Sequence, residues 1–315
     1  MHYDVLLFGD YWYDLIFTGL PRLPELGREL FADGFDALPG GVFINAVALK
    51  RMGLRVGWAA DFGSDPFSRM VIVAARREGL DDALFQYHDC PYRRVTAVAS
   101  FPEERAFLSY TDRGPTLSAP LKALSAHTAR VVFIPGLFFG PLFDGGQLFA
   151  RRRGMKIVMD CQSTTHTLDK EPTLRRALQK VDVFLPNAVE ARQLTGAAET
   201  HAALRALGDL CPLVVIKDGA NGALAIEHGR TIHVPAIPVK VVDTTGAGDS
   251  FDAGFIKAWL DGKPIEECLR WGNICGGLST SARGGATAAP TLEEVEKWLL
   301  EEQKAQGRKQ KAGKK

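Results

Sequence analysis

Cysteine is sparse and scattered. The 315 residues include five, Cys90, Cys161, Cys211, Cys268 and Cys275, an odd number with no C-x-x-C pair. This indicates neither a disulfide framework nor a zinc site, and the expectation is reduced, buried, small apolar residues. The seven histidines show no metal-ligand spacing. No apolar run is long enough to span a bilayer, and the start, Met1-His2-Tyr3-Asp4, lacks the basic and apolar regions of a signal peptide. The expectation is a cytoplasmic protein without a membrane partner. Three nucleotide-enzyme signatures are also missing. There is no dinucleotide G-x-G-x-x-G, no P-loop G-x-x-x-x-G-K-[ST], and, for want of an HRD, no protein-kinase HRD and DFG set. Net charge is close to balance at +1, yet residues 304–315 hold six basic residues and no acid. The remaining body is mildly acidic, which argues against a nucleic-acid partner. The tail is expected to be disordered and solvated.

What is present suits a soluble globular chain: 46% hydrophobic and 24% charged residues. The length fits a large α/β domain, here residues 1–303, with a small accessory part. Short apolar runs, Val5–Phe8, Val131–Ile134, Ile157–Met159, Val181–Leu185 and Leu213–Ile216, alternate with amphipathic segments such as Leu174–Lys180 and Ala188–Gly196. That rhythm predicts βαβ units and a mostly parallel sheet. Two stretches interrupt it, Tyr13–Leu38 and Arg93–Tyr110, the second reading as a hairpin around Pro102-Glu103-Glu104. Together they predict a small separate sheet. Gly222–Ala236 reads as another hairpin, turning at His228-Gly229. A last helix is expected over about Leu292–Gln303, capped by Thr291 with Glu293 and Glu294 at its positive end.

The most informative stretch is Asp243-Thr244-Thr245-Gly246-Ala247-Gly248-Asp249-Ser250-Phe251-Asp252-Ala253-Gly254. A β-branched run, Val239–Val242, leads into a glycine-broken turn. A helix follows, with Phe251, Phe255 and Trp259 on one face. A helix N-terminus attracts anions, because its first N–H groups lack partners and the dipole is positive there. Glycine lets a phosphate approach the backbone. A carboxylate set into such a site is electrostatically costly, which gives Asp249 a chemical role: taking a proton from a hydroxyl that attacks phosphorus.

This stretch resembles the signature of the ribokinase-like, or PfkB, carbohydrate kinases. Four other segments resemble the family in turn. Gly9-Asp10-Tyr11-Trp12-Tyr13-Asp14 is similar to its opening motif, whose closing acid holds sugar hydroxyls; a carboxylate accepts two such bonds at once. Pro39-Gly40-Gly41-Val42-Phe43-Ile44-Asn45 resembles its di-glycine and helix signature, with Asn45 both donor and acceptor. Asn187-Ala188-Val189-Glu190 resembles the family's N-x-x-E motif. Read without the family, Asn187 is a helix cap and Glu190 a first-turn acid. Lys217-Asp218-Gly219-Ala220-Asn221-Gly222 resembles a glycine-bearing turn beside ATP, though the two charged residues also suit a plain surface pair. Asp160 ends its strand where ligand-facing carboxylates collect in open α/β sheets.

The resemblance implies a three-layer α/β sandwich with a mostly parallel central sheet and a small β lid from about 13–38 and 93–110. It implies transfer of the ATP γ-phosphoryl group to a hydroxymethyl group of a sugar or sugar derivative. Asp249 is then the base, and the backbone of Gly246, Ala247, Gly248 and Asp249 the anion hole. Asp14, Gly40, Gly41, Asn45 and Trp12 hold the acceptor, with Val42, Phe43, Tyr110 and Arg113 shaping its pocket. Asn187, Lys217, Gly219, Gly222, Thr245, Gly248 and Asn273 contact ATP, Asn273 against the purine, with Ser279, Ala282 and Arg283–Ala286 completing that wall. Glu190 and Asn187 serve Mg2+ through water, and Asp243 with Thr245 a monovalent cation, K+. A homodimer through the lid belongs to the same expectation. Trp12 and Val42 depart from the polar residues of sugar-specific members and leave the acceptor open. One alternative is a nucleoside kinase of the same fold. Another is a catalytically silent sensor, whose expected mark, loss of Asp249 or of the anion-hole glycines, is not found.

Overall fold

The fold is seen in a computed structural model that describes residues 2–101, 104–114, 117–162 and 164–312, with backbone alone for Gln303 and 305–312. The chain starts with strand β1 (His2–Phe8), crosses into β2 (Tyr11–Thr18) and β3 (Gly34–Gly41), and enters helix α1 (Val42–Arg51). Next come β4 (Val56–Phe62), α2 (Pro66–Arg77), β5 (Phe85–Tyr87), β6 (Arg94–Ser100) and β7 (Arg105–Thr111). The α/β repeat then runs α3 (Ser118–Ala126), β8 (Thr128–Pro135), α4 (Pro141–Arg152), β9 (Lys156–Asp160), α5 (Pro172–Leu178), β10 (Val183–Phe184), α6 (Ala188–Thr195), α7 (Thr200–Gly208) and β11 (Leu213–Lys217). The chain closes with β12 (Ala223–Glu227), β13 (Arg230–Val234), α8 (Ala247–Leu260), α9 (Ile265–Ser279) and α10 (Leu292–Ala312).

Nine strands form the central sheet in the order β13-β12-β11-β10-β9-β8-β1-β4-β5. Strands β11 through β5 are parallel, and β12 and β13 add an antiparallel hairpin at one edge. Side chains alternate across the sheet. Val5 and Leu7 join the core under α1, α2, α8 and α9, whereas Leu6 joins the cluster under α3 and α4. Helices α5, α6 and α7 cover that second face beyond β9. The three expected layers follow from this period of two. The hairpin turns at His228 and Gly229, both with positive φ, as a tight turn between twisted strands requires.

Helices α8 and α9 pack at short range because small residues face the contact. A Cβ on Gly254 would meet Cys275 Sγ at 2.5 Å, and one on Gly272 would meet the Phe251 ring at 2.7 Å. On the inner face of α8, Phe251 and Phe255 lie in near-parallel planes, both buried. Burying each stabilises the packing by roughly 1.5–3 kcal/mol.

The second sheet has four strands in the order β3-β2-β6-β7 and is the expected lid. Only β2 and β6 are parallel within it. Residues 102 and 103 of its second hairpin, and 313–315 of the tail, lie outside the described residues.

Four expectations need correction. Val239–Val242 joins no sheet: Val241 and Val242 are exposed, and the Val242 and Asp243 N–H groups donate to the Thr280 carbonyl instead. Edge position and solvent override β propensity there. Strand β4 was not anticipated, because Gly57, Trp58, Ala59 and Ala60 carry no β-branched signal, although all seven of its residues are buried. Helix α10 passes Gln303 to end at Ala312, since the Lys, Gln and Ala of that segment are good helix formers and its basic charges suit a helix C-terminus. Cys90 is exposed, while the other four cysteines are buried and unpaired. Thr291 caps α10 as expected, with Glu294 returning a hydrogen bond to its N–H. Among the described residues no helix is long and apolar enough to cross a membrane.

Candidate active site

The carboxyl ends of β1, β9 and β11 open on one side of the sheet, and the N-terminus of α8 faces them. Gly246 is the cap of α8, at φ 75° in the left-handed region that favours glycine. A Cβ there would also press on Gly285 at 2.9 Å and on Ile44 at 3.0 Å. Asp249 falls in the first turn, where N–H groups have no carbonyl partner within the helix. Burial pushes its carboxyl up to about 6, Asp160 adds to the rise, and Lys217 and Asn45 oppose it.

Asn45 reaches this carboxylate from α1. It is fully buried, and both its amide nitrogen and its oxygen lack a completed hydrogen bond. An orphaned buried amide is costly unless a ligand completes it. Asn45, which can donate and accept, therefore stands beside the Asp249 carboxylate, which accepts, with hydrogen-bonding capacity to offer a ligand.

Behind Asp249 stands a charge cluster only partly foreseen. Lys217 Nζ bridges Asp160 at 3.0 Å and Asp252 at 3.1 Å, with its side chain only 11% exposed. Burial alone would lower the Lys217 pKa, but Asp160 and Asp252 raise it overall. Burial and Asp160 raise the Asp252 carboxyl, against Lys217. Lys217 is therefore not half of a surface pair; Asp218 instead accepts from Asn221 at 3.1 Å. The ammonium lies 3.6 Å from where a Cβ on Gly248 would stand, beside the anion hole. Asp252 is the site residue that sequence reasoning passed over. Its signal was the i, i+3 spacing from Asp249 on one helix.

On the acceptor side, the register pairs Trp12 with Gly40 and Tyr11 with Gly41. A Cβ on Gly40 would collide with the Asp14 carboxylate, so glycine here is what lets Asp14 lie along the strand. Gly41 adopts φ 61°, and a Cβ on it would meet the Trp12 indole at 2.7 Å. Burial lifts the Asp14 carboxyl to about 6. Trp12, Asp14, Leu38, Arg105, Asp243 and Arg283 line a cleft of about 990 Å3 between lid and body. Arg283 and Gly284 thus face the acceptor cleft rather than a purine wall. Ser279 is buried, donating to the Gly276 carbonyl. Phe43 is also withdrawn from the pocket, buried edge-on against Trp58. Tyr110 is exposed and donates to Asp112.

On the opposite side, Asn187 and Glu190 form a reciprocal cap on α6: Glu190 N–H donates to Asn187 at 2.9 Å and Asn187 N–H to Glu190 at 2.8 Å. Burial, Asp160 and Asp249 all raise the Glu190 pKa, although the Asn187 N–H and Lys217 oppose this. The cap and the charged site are thus contiguous. Gly219 opens a short turn after β11, and a Cβ on Gly222 would collide with the Val234 carbonyl. Asn273 Nδ2 donates to the Val234 and Pro235 carbonyls at 2.9 and 3.0 Å. Both amide hydrogens are therefore committed to holding this segment, and only the side-chain oxygen is left to meet a purine.

Among the described residues no three His, Cys, Asp or Glu side chains converge to ligate a metal directly. Mg2+ keeps several waters and is bound through one or two carboxylates beside substrate phosphates. Glu190, coupled to Asp160, Asp249 and Lys217, is a carboxylate that fits this need. A monovalent cation fits poorly at Asp243 and Thr245. Asp243 accepts from Thr245 N–H at 3.0 Å, Thr245 Oγ1 at 2.8 Å and Gly284 N–H at 3.2 Å. Arg105, from β7 of the lid, donates to Asp243 at 2.9 Å and to Thr245 Oγ1 at 2.7 Å. Burial would lift the Asp243 carboxyl, but Thr245, Arg105 and Gly284 hold it at about 2. A guanidinium already occupies the place of the positive charge.

Residues 31–292 match the pfkB family carbohydrate kinase model. Ribokinase of Haemophilus influenzae is 26% identical over 292 residues, covering 89% of this chain and 93% of that protein. The fold is shared with Arabidopsis thaliana ribokinase complexed with ribose and ATP, at a TM-score of 0.81 and 21% identity over 95% of this chain and 99% of that one. It is shared too with a ribokinase-family structure from E. coli in complex with ATP and Mg2+, at 0.77 and 21% over 95% and 99%. The chain belongs to the pfkB family of carbohydrate kinases, phosphotransferases with a ribokinase-like α/β fold.

Proposed function

We propose that this chain transfers the γ-phosphoryl group of ATP to a hydroxymethyl group of a sugar or sugar derivative. One observation carries the reading: a carboxylate with its pKa lifted to about 6 stands in a helix N-terminus, facing a buried amide with no partner of its own. A pKa near the working pH suits a general base. Asp14, the Gly40-Gly41 backbone and Asn45 hold the acceptor so that its hydroxymethyl oxygen lies by Asp249. Asp249 takes the proton as the oxygen forms its bond to the γ-phosphorus. The bond from that phosphorus to the bridging oxygen breaks, and ADP leaves with the electron pair. First-turn N–H groups from Gly246 to Asp249, with Lys217 beside them, stabilise charge on the moving group.

Mg2+, when bound with the nucleotide near Asn187 and Glu190, supplies charge neutralisation on the phosphates. Arg105 places a tethered positive charge against the Asp243 carboxylate and Thr245, and so joins the lid to the turn before α8. The lid excludes water from the transfer. Its exposed apolar side chains, Phe107 and Leu108 on β7 and Phe35 on β3, support pairing of two copies through this sheet, which light scattering would show as a dimer mass.

The test is an ADP-release screen with Mg2+ over sugars, sugar acids, inositols and nucleosides, with 31P spectra of the products. The expected result is a phosphomonoester formed in step with ADP. ADP without a phosphomonoester would make the protein an ATPase, and ligand binding without ADP would make it a sensor.

A further inference from the structure

Lys217 is bridged by two acids to which the transfer just described gives no part. It ends β11, Asp160 ends β9 on the far side of β10, and Asp252 lies in the second turn of α8. The ammonium is 3.0 Å from Asp160 Oδ1 and 3.1 and 3.3 Å from the two oxygens of Asp252. Asp252 is fully buried and Asp160 nearly so. Asp249 precedes Asp252 by one turn of the same helix, yet among the described residues Lys217 makes no ion pair with it.

A buried set of this kind is costly unless its charges balance. Asp160 and Asp252 also hydrogen-bond to one another. An ionised carboxylate only accepts, so that bond needs a proton between the two acids. One ammonium, two carboxyl groups and one shared proton leave no net charge. The set is thus balanced by its own members. Its ammonium stands 3.6 Å from where a Cβ on Gly248 would be, beside the first-turn N–H groups of α8. Released from the two acids, it would be drawn to Asp249, whose carboxyl it already pulls down against burial and Asp160. Asn45 and Glu190 are the other polar neighbours of that carboxyl, and neither repels a cation.

We infer that Asp252 is a positioning residue: with Asp160 it holds the Lys217 ammonium beside the anion hole and out of an ion pair with Asp249. The inference rests on the proposed kinase reading and adds how a base and a cation coexist in one site. Charge on the moving phosphoryl group calls for a cation close at hand. A base paired with that cation is less able to take a proton. Tying Lys217 to two other carboxyl groups meets both demands. Asp252, fully buried, touches neither acceptor nor nucleotide and acts through Lys217.

The test compares Asp252→Asn with Asp252→Leu in the full chain, using ATP, Mg2+ and the acceptor of highest turnover in the screen above. Asn keeps an acceptor for Lys217 and a donor for Asp160, as the proton-bearing acid does, and its kcat should stay close to wild type. Leu offers neither, and should lower kcat at least about tenfold with little change in the KM for the acceptor. Asp252→Ala takes its place if the Leu variant does not fold, and urea unfolding corrects every rate for the folded fraction. In a Lys217→Met background Asp252 has no ammonium to hold. Adding Asp252→Leu there should leave kcat within about twofold of Lys217→Met alone. An Asn variant as slow as Leu, or a Leu loss that persists without Lys217, makes Asp252 merely structural and overturns the inference. A crystal structure of Asp252→Leu gives a readout independent of turnover. Lys217 is expected at ion-pair distance from Asp249, and Lys217 unmoved beside Gly248 overturns the inference even in an active kinase. A wild type that turns over no acceptor overturns the kinase reading, and the position of Lys217 in that crystal structure then decides the role of Asp252 by itself.

Discussion

The lid and the body of this protein each carry one acid of the proposed site, buried by opposite means. In the body, β11 is buried along its first four residues and β4 along its whole length. In the lid, every residue of β7 is exposed. Yet Asp249 of the body and Asp14 of the lid are both pushed to about 6 by burial. Asp249 gains its burial within the packed α/β layers, behind which Lys217 balances two further carboxylates. Asp14 lies on β2, in the space that the missing side chain of Gly40 leaves on the neighbouring strand. In the proposed transfer the body sets where charge moves, and the lid sets what is held while it moves.

That division can be broken by mutation. The largest effect is expected in the body, where Asp249→Asn should lower kcat by at least about 100-fold while the Tm stays close to wild type. Near-normal turnover would remove Asp249 from the role of base. Lys217→Met should cost about 3–5 kcal/mol in urea unfolding, because it leaves Asp160 and Asp252 buried without their partner. Adding Asp252→Asn to it should recover part of that loss. A single variant as stable as wild type would mean that the cluster is not tightly coupled.

On the lid, Asp14→Asn should act mainly on KM, raising it roughly 10–100-fold, as expected for two hydroxyl bonds lost to a charged acceptor. Acid dependence sharpens the comparison. In the proposed reaction Asp249 and Asp14 both act as carboxylates, and burial raises each to about 6, so kcat/KM should fall as pH drops through about 6. The wild-type limb should be steeper than that of Asp14→Asn, which retains a single group of the pair. Equal slopes would show that Asp14 does not titrate with the reaction.

The smallest effect belongs to Arg105, whose side chain is 40% exposed in its pair with Asp243. Arg105→Met should cost no more than about 1 kcal/mol of stability. Wild-type rates should not change when KCl replaces choline chloride at constant ionic strength, whereas the variant should gain activation by K+. Potassium stimulation of the wild type would show that the guanidinium does not stand in for the ion.

Much of this division was readable in advance, unevenly. Gly246, Gly248 and Asp249 occupy consecutive positions, and a glycine-broken turn before an amphipathic helix has few structural outcomes. Asp14 and Asn45 were legible through their motifs. The Asp160, Lys217 and Asp252 cluster was not, since its members stand on three elements, 57 and 35 residues apart in its two ion pairs. The resemblance implied Asn273 as a purine contact; its amide hydrogens go to the Val234 and Pro235 carbonyls after β13, a meeting that no local spacing announces. Val239–Val242 read as a strand-like run, and propensity failed there for lack of a neighbouring strand to pair with.

The sequence by itself determined the periodic alternation that makes three layers, the glycine turn at the head of α8 and the presence of one acid within it. These are local properties, set by backbone sterics and by which face of each element is apolar. The tertiary structure alone decided which carboxylates share Lys217, and that Arg105 reaches Asp243 and Thr245 across the cleft. Each of these is a meeting of residues remote in the chain. It depends on how elements pack, and local spacing does not encode that.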